Sequence, residues 1–172
     1  RKAVRLAILN PCCDGIVTEP NFPLLTQILI PELKTALDYF DIKYEWKVGE
    51  SIFYCQIEGK ETRIICKSME GYERLIGINA AWVIMDEFDT AKPELAYNAY
   101  IKLLGRIRVG TVRQMIIVST PEGYRAMYRI FVEEINTGNK RLIRAKTTDN
   151  HHLPQDYIDT MVSQYPPELI EA

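Results

Sequence analysis

WVIMDEFD, residues 82–89, sets four apolar residues directly against two adjacent carboxylates. The unbroken run Ala81–Met85 (AWVIM) shows no alternation, which predicts a strand buried on both faces, as at the centre of a parallel sheet. Asp86 and Glu87 then stand at its C-terminal end, the end at which open α/β sheets bind their ligands. Downstream, Gln114–Val118 (QMIIV) predicts a second buried strand, closing on Ser119, Thr120, Pro121 and Gly123 before a helix over Tyr124–Ile135. A helix over Pro93–Leu104 lies between the two strands, and a helical turn over Tyr72–Ile76 precedes the first.

Further outward the pattern keeps alternating. Arg1–Leu9 (RKAVRLAIL) reads as the tail of a helix ended by Asn10-Pro11, and Asp14–Thr18 as a short strand. Asn21–Phe40 is a helix with Leu24, Leu25, Ile28, Leu29, Leu33 and Leu37 on one broad face, kinked at Pro31. From Ile42 the period changes to two. KYEWKV, SIFYCQIE and ETRIICKS predict three strands separated by Gly49-Glu50 and Gly59-Lys60, an antiparallel excursion. A strand over Arg141–Thr147 and a helix over Gln155–Gln164 complete an α/β chain with an open, largely parallel sheet.

Composition agrees with that class. The 172 residues are 47% hydrophobic and 26% charged, enough for one well-cored domain and unlike a disordered chain. No stretch has the roughly 18 apolar residues a membrane span needs, and the first 25 residues lack the zones of a signal peptide. Cys12, Cys13, Cys55 and Cys66 show neither metal-ligand spacing nor a disulfide framework, which suits a reducing cytosol. The net charge of −2 is uneven: residues 101–146 carry ten Lys or Arg against three Glu. A basic segment in an acidic chain fits a surface for phosphate backbones, with Arg106, Arg108 and Arg113 as candidate contacts, or a solvated helix face.

The residue types at the two strand ends carry chemistry. In a nucleotide hydrolase the first carboxylate, Asp86, holds magnesium through a coordinated water, and the second, Glu87, orients the attacking water. Ser119 and Thr120 can reach a phosphate oxygen or that water, or can serve as an ordinary turn and cap. His151-His152 lacks a third ligand and reads as a polar loop. Tyr39, Phe40, Tyr44, Trp46, Phe53 and Tyr54 could stack on bases, but strand alternation favours a packed sheet face.

The succession of strand-helix, antiparallel excursion, RLIGINAAWVIMDEFD (74–89), IIVSTPEG (116–123) and the closing AKTTDNHHLPQDYIDTM (145–161) resembles the ATPase domain of the large terminase subunit of tailed bacteriophages. The resemblance implies a P-loop NTPase-like (ASCE) three-layer sandwich, mainly parallel, that hydrolyses ATP with Mg2+ to drive double-stranded DNA into a procapsid. It makes Asp86 the Walker B magnesium residue, Glu87 the catalytic glutamate, and Ser119-Thr120 the coupling motif, with Glu122 and Gly123 in the turn behind. Arg74 becomes a possible phosphate or inter-subunit contact. The implied partners are DNA, further copies in a homo-oligomeric ring, the portal protein and the small terminase subunit, in the host cytoplasm and without a membrane.

Two parts of that family are missing from the sequence. None of the nine glycines sits in GxxxxGK[ST]; Gly59-Lys60 is followed by Glu61. The expectation is a single partial domain over 1–172, starting just after its Walker A segment and stopping before a nuclease domain, and weak or inactive alone. After Asn150 only Asp156, Asp159, Glu168 and Glu171 remain, too few for a two-metal nuclease, and Asp156 with Asp159 reads as a solvated helix face. The alternatives are another P-loop translocase or helicase, and a non-enzymatic nucleic-acid-binding or assembly module of the same fold.

Overall fold

The computed structural model describes residues 1–134 and 139–165. Ile135, Glu168 and Glu171 lie outside the described residues. The chain forms two compact units, residues 1–119 and residues 120–172, which divide within the IIVSTPEG stretch.

The first unit holds the whole sheet. Its elements are α1 (Lys2–Leu9), β1 (Asp14–Glu19), α2 (Phe22–Leu24), a π-helical turn (Leu25–Leu29), α3 (Ile30–Tyr39), β2 (Lys43–Lys47), β3 (Ile52–Ile57) and β4 (Lys60–Ser68). A 3-10 segment (Met69–Leu75), β5 (Ala80–Met85), a 3-10 turn (Phe88–Thr90), α4 (Pro93–Leu104) and β6 (Gln114–Ile117) follow. The strand order is β2-β3-β4-β1-β5-β6. β4-β1, β1-β5 and β5-β6 pair in parallel, while β2-β3 and β3-β4 are antiparallel. The expected parallel core and antiparallel excursion are both present, and the excursion returns to the core through β4.

Register sets two faces. Gly15 and Val17 of β1 stand opposite Ile64 and Cys66 on one side and Trp82 and Ile84 on the other. This face shares one cluster with Val4 and Leu6 of α1 and with Leu25, Leu29, Leu33 and Leu37. The alternate residues Ile16, Ile65, Val83 and Met85 point the other way and are buried as well, so β5 is covered on both faces as its unbroken apolar run requires. The elements following β4 and β5, the 3-10 segment and α4, pack on each other. Tyr44, Trp46 and Phe53 form the expected packed aromatic face, with the Trp46 and Phe53 rings 4.4 Å apart.

Pro31 is accommodated by a widened turn. With no N–H at Pro31 the i−4 ladder fails there, and just upstream Ile30 N–H bonds back five residues to Leu25 C=O. Backbone angles stay right-handed helical across both junctions.

Asn10 joins α1 to the loop before β6. It is buried; its Nδ2 donates to Leu6 C=O at 2.9 Å and to Val112 C=O at 3.0 Å, and its Oδ1 accepts from Val112 N–H at 2.9 Å. Gly110 reaches this point with φ +85°, where an added Cβ would lie 2.6 Å from both Ala81 Cβ and Asn10 Oδ1. Asn10→Ala strands the buried Leu6 carbonyl and the part-buried N–H and C=O of Val112, and we expect a loss of about 2–4 kcal/mol, read from urea unfolding. A loss under about 0.5 kcal/mol would show that water replaces these bonds at no cost.

In the second unit, α5 (Ala126–Tyr128) runs into a π-helical turn (Arg129–Glu133), and a 3-10 turn (Thr147–Asp149) precedes α6 (Gln155–Gln164). The strand expected over Arg141–Thr147 does not form. Leu142, Arg144 and Lys146 would share one face, and Arg141, Ile143 and Ala145 the other, so neither face is apolar enough to bury; Ile143 is 75% exposed. The helix expected from Tyr124 begins at Ala126 instead. Tyr124 is 87% exposed and stacks edge-on with Tyr128. α6 carries Asp156 and Asp159 on exposed positions, as a solvated face requires.

Candidate active site

β5 delivers Asp86 and Glu87 to the C-terminal edge of the sheet. Asp86 N–H continues the ladder to Thr18 C=O of β1 at 2.9 Å, and Val118 N–H bonds Met85 C=O at 2.9 Å, so three strand ends meet here. Asp86 is half-buried and Glu87 exposed. The chain turns sharply between them: Glu87 adopts φ 46°, ψ 39°, left-handed values rare for a side-chain-bearing residue. The turn is held by Glu87 N–H to Asp86 Oδ1 at 3.1 Å and by the Thr90 hydroxyl to Glu87 C=O at 2.7 Å. Strain of this kind persists where the surroundings enforce it, and here it lifts Glu87 clear of the strand into solvent.

Ser119 lies two residues past the end of β6 and reaches the same loop. Its Oγ accepts from Asp89 N–H at 3.0 Å, and Phe88 N–H donates to Val118 C=O at 3.2 Å. The β6 end and the loop that carries Glu87 are therefore bonded together. Thr120 is exposed and begins the second unit, as do Glu122, which pairs with Arg125 at 3.0 Å, and Gly123, at φ +77°.

Sequence reading missed Glu19. It ends β1, and since Val17 stands opposite Ile84, the pleat puts Glu19 on the same face as Asp86 two residues on. Glu19 is 2% exposed, and its Oε2 has no hydrogen-bond partner among the described residues; neither does the buried Thr18 Oγ1 beside it. Burial first, then the charges of Asp86 and Glu87, push the Glu19 carboxyl up to about 7. Burial also raises Asp86, moderated by its bond from Glu87 N–H. The only signal in sequence is an acid closing an apolar strand (GIVTEP), and only register reveals its neighbours.

A raised carboxyl has a signed consequence. Between the ordinary glutamate value of 4.5 and about 7 the folded chain binds more protons at Glu19 than the unfolded one, so stability falls as pH rises through that window. Glu19→Gln removes this dependence. The urea midpoint of Glu19→Gln minus that of wild type should widen from pH 4.5 to 7 and level off above; a constant gap would contradict the burial of this charge.

The candidate arginines lie elsewhere. Arg106 and Arg108 flank Ala80 at the start of β5, and Arg113 immediately precedes β6, so all three are at the opposite end of the sheet from Asp86. The strand between spans about 20 Å. Arg106 bonds Ile76 C=O and Arg108 bonds Gly105 C=O. Arg74 is exposed in the last turn of the 3-10 segment, two residues from Ile76, and the structure does not bring it beside the carboxylates. Within the second unit, Arg129 pairs with Glu134 at 3.0 Å and Lys140 bonds Ile130 and Glu134 carbonyls, so part of the basic segment is spent on local structure. His151 and His152 are exposed, and His152 N–H bonds Asn150 Oδ1 in a local turn. Among the described residues no three His, Cys, Asp or Glu side chains could hold a metal directly, and no helix is long and apolar enough to cross a membrane.

The arrangement has known counterparts. The large terminase of a thermophilic bacteriophage superposes with a TM-score of 0.75 at 16% identity, over 90% of this chain and 38% of its own. The same terminase in complex with ADP gives 0.70 at 16% identity, over 92% of this chain and 39% of that one. The Thermus phage P74-26 large terminase ATPase domain gives 0.56 at 17% identity, over 80% and 60%. At such identities the likeness shows the fold, an α/β P-loop-like one, and this chain spans under two-fifths of the length of the thermophilic phage's terminase. No curated protein matches the sequence. Residues 33–172 match the family described as terminase large subunit, T4likevirus-type, N-terminal. The chain belongs to the large terminase subunit family, in its N-terminal part.

Proposed function

We propose that these residues form the hydrolytic portion of a magnesium-dependent ATPase that drives double-stranded DNA into a viral procapsid. One observation carries the reading: a strained, exposed Glu87 beside a half-buried Asp86, at the ligand-binding end of a large-terminase fold. A thermophilic phage's terminase of that fold forms a complex with ADP, and the P74-26 domain is an ATPase domain; both support nucleotide as ligand. The helicase and non-enzymatic alternatives gain nothing from the family match.

The residues fit a magnesium ion held indirectly. Glu19 Oε2 is buried without a donor among the described residues, and burial raises both the Glu19 and the Asp86 carboxyls, with the charges of Asp86 and Glu87 adding to the rise at Glu19. Bound magnesium would draw charge from the phosphates and ease departure of the leaving group. Asp86 would accept a hydrogen bond from a water of the ion, and Glu87, exposed at the strand end, would accept one from the attacking water and orient it. Ser119, tied to Asp89 N–H, would carry a change in the Glu87 loop to the end of β6, and Thr120 follows it in the chain. Arg108 and Arg113 are the proposed DNA contacts at the far sheet edge. Arg106 is more committed to Ile76, and Arg74 is retained only as an inter-subunit candidate in a ring. Portal protein, small terminase subunit and a host-cytoplasmic setting belong to the same proposal.

GxxxxGK[ST] does not occur in the 172 residues, so the phosphate cradle must be supplied by other residues. The test joins these residues to such a loop. That protein should hydrolyse Mg-ATP, and its DNA affinity should fall steeply with salt and weaken further in Arg108→Gln and Arg113→Gln variants. Absence of turnover in the joined protein overturns the hydrolytic reading, and DNA binding insensitive to both substitutions retires the arginine assignment.

A further inference from the structure

We infer that Glu19 is a third carboxylate of the cation site, an acceptor for magnesium-bound water that stands opposite Asp86 across the β1-β5 pair. The inference rests on the proposed function above and extends it to a residue outside the WVIMDEFD stretch. Two observations support it. Register puts Glu19 and Asp86 at equivalent heights on one sheet face, at the end where Asp86 N–H bonds Thr18 C=O. Glu19 is 2% exposed, yet Oε2 has no donor among the described residues.

An ionised carboxylate is an acceptor only, and burying one without a donor is expensive. While Glu19 is ionised, neither Asp86 nor Glu87 can relieve that cost, since both are acceptors of the same charge. Magnesium can, because it dehydrates reluctantly and keeps several waters whose hydrogens need acceptors. Asp86 would accept from one of these waters, and Glu19 from another. Among the described residues no group of three His, Cys, Asp or Glu could hold a metal ion, so the contact proposed for Glu19 is one through the ion's water. Glu19 is thus a positioning residue, acting on the metal's water shell and not on the reacting phosphate.

The experiment uses the 172-residue chain and Mn2+ alone as the probe, with bound ion counted by the loss of free-ion EPR signal. Wild type should bind Mn2+ and Asp86→Asn should bind it markedly more weakly. Glu19→Gln, which keeps size and removes charge, should weaken binding about ten-fold, the usual cost of losing an outer-shell partner. Circular dichroism checks that it is folded; if it is not, Glu19→Asp, which keeps the charge but withdraws the oxygens, should weaken binding at least about three-fold. If Asp86→Asn weakens binding while the folded Glu19 variant stays within about two-fold of wild type, the Glu19 assignment fails and the Asp86 site stands. If wild type binds no Mn2+, or neither substitution matters, the cation site itself fails and Glu19 with it.

Discussion

Gly15→Ala should cost about 3 kcal/mol or more of stability, a large share of what a domain of this size possesses. β1 lies between β4 and β5, and Trp82 of β5 is fully buried directly opposite Gly15. The indole lies across the space a side chain would fill: a Cβ at Gly15 would stand 2.0 Å from Trp82 Cζ2 and 2.1 Å from Cε2. Neither the ring nor the central strand can withdraw without opening the cluster shared with α1 and α3. Urea unfolding followed by circular dichroism measures the loss. In the pair Gly15→Ala, Trp82→Leu the clash is gone, so the double variant should be more stable than the sum of the two single losses predicts. A single-variant loss below about 1 kcal/mol would mean that the ring packs elsewhere.

Glu87→Gln should reduce ATP turnover about 10²–10⁴-fold in a protein that includes the phosphate loop, while leaving ATP binding intact. The amide keeps the size of the side chain and loses the basic oxygen that the attacking water needs. Retained turnover removes Glu87 from this role. The left-handed backbone at Glu87 adds a separable effect. Glu87→Gly, relieved of a strain of about 1 kcal/mol, should be more stable than Glu87→Ala, which loses the same side chain without that relief, although both are inactive. If Glu87→Gly is no more stable than Glu87→Ala, the left-handed turn carries no such strain.

Much of this is legible in the residues alone. AWVIM ends at Asp86 because an unbroken apolar run can be satisfied only between two covered faces, and β5 closes at Met85. The three strands from Ile42 announce themselves by alternation, and β2 keeps it in exposure, with Lys43, Glu45 and Lys47 outward and Tyr44 and Trp46 inward. What stays hidden depends on pairing across the sequence. Glu19 becomes a neighbour of Asp86 only when β1 lies beside β5, and Asn10 meets Val112 only when α1 lies over the sheet. Periodicity contains neither distance. The same limit explains the misread stretch 141–147, where a local β signal had no face to bury. It also explains the basic segment, whose summed charge gave no sign that Arg106, Arg129 and Lys140 bond to nearby carbonyls and carboxylates.

Nucleotide and metal should bind together at the C-terminal edge of the sheet, between the ends of β1, β5 and β6. Paramagnetic broadening by Mn2+-ATP, read on the backbone amides of the protein joined to a phosphate loop, locates them. The resonances of Thr18, Glu19, Asp86, Glu87 and Ser119 should be lost, with those of Arg108, Gly110 and Arg113 at the far edge preserved. Broadening centred on Arg108–Arg113, or spread without a centre, would place the nucleotide elsewhere and remove Asp86 and Glu87 from the chemistry.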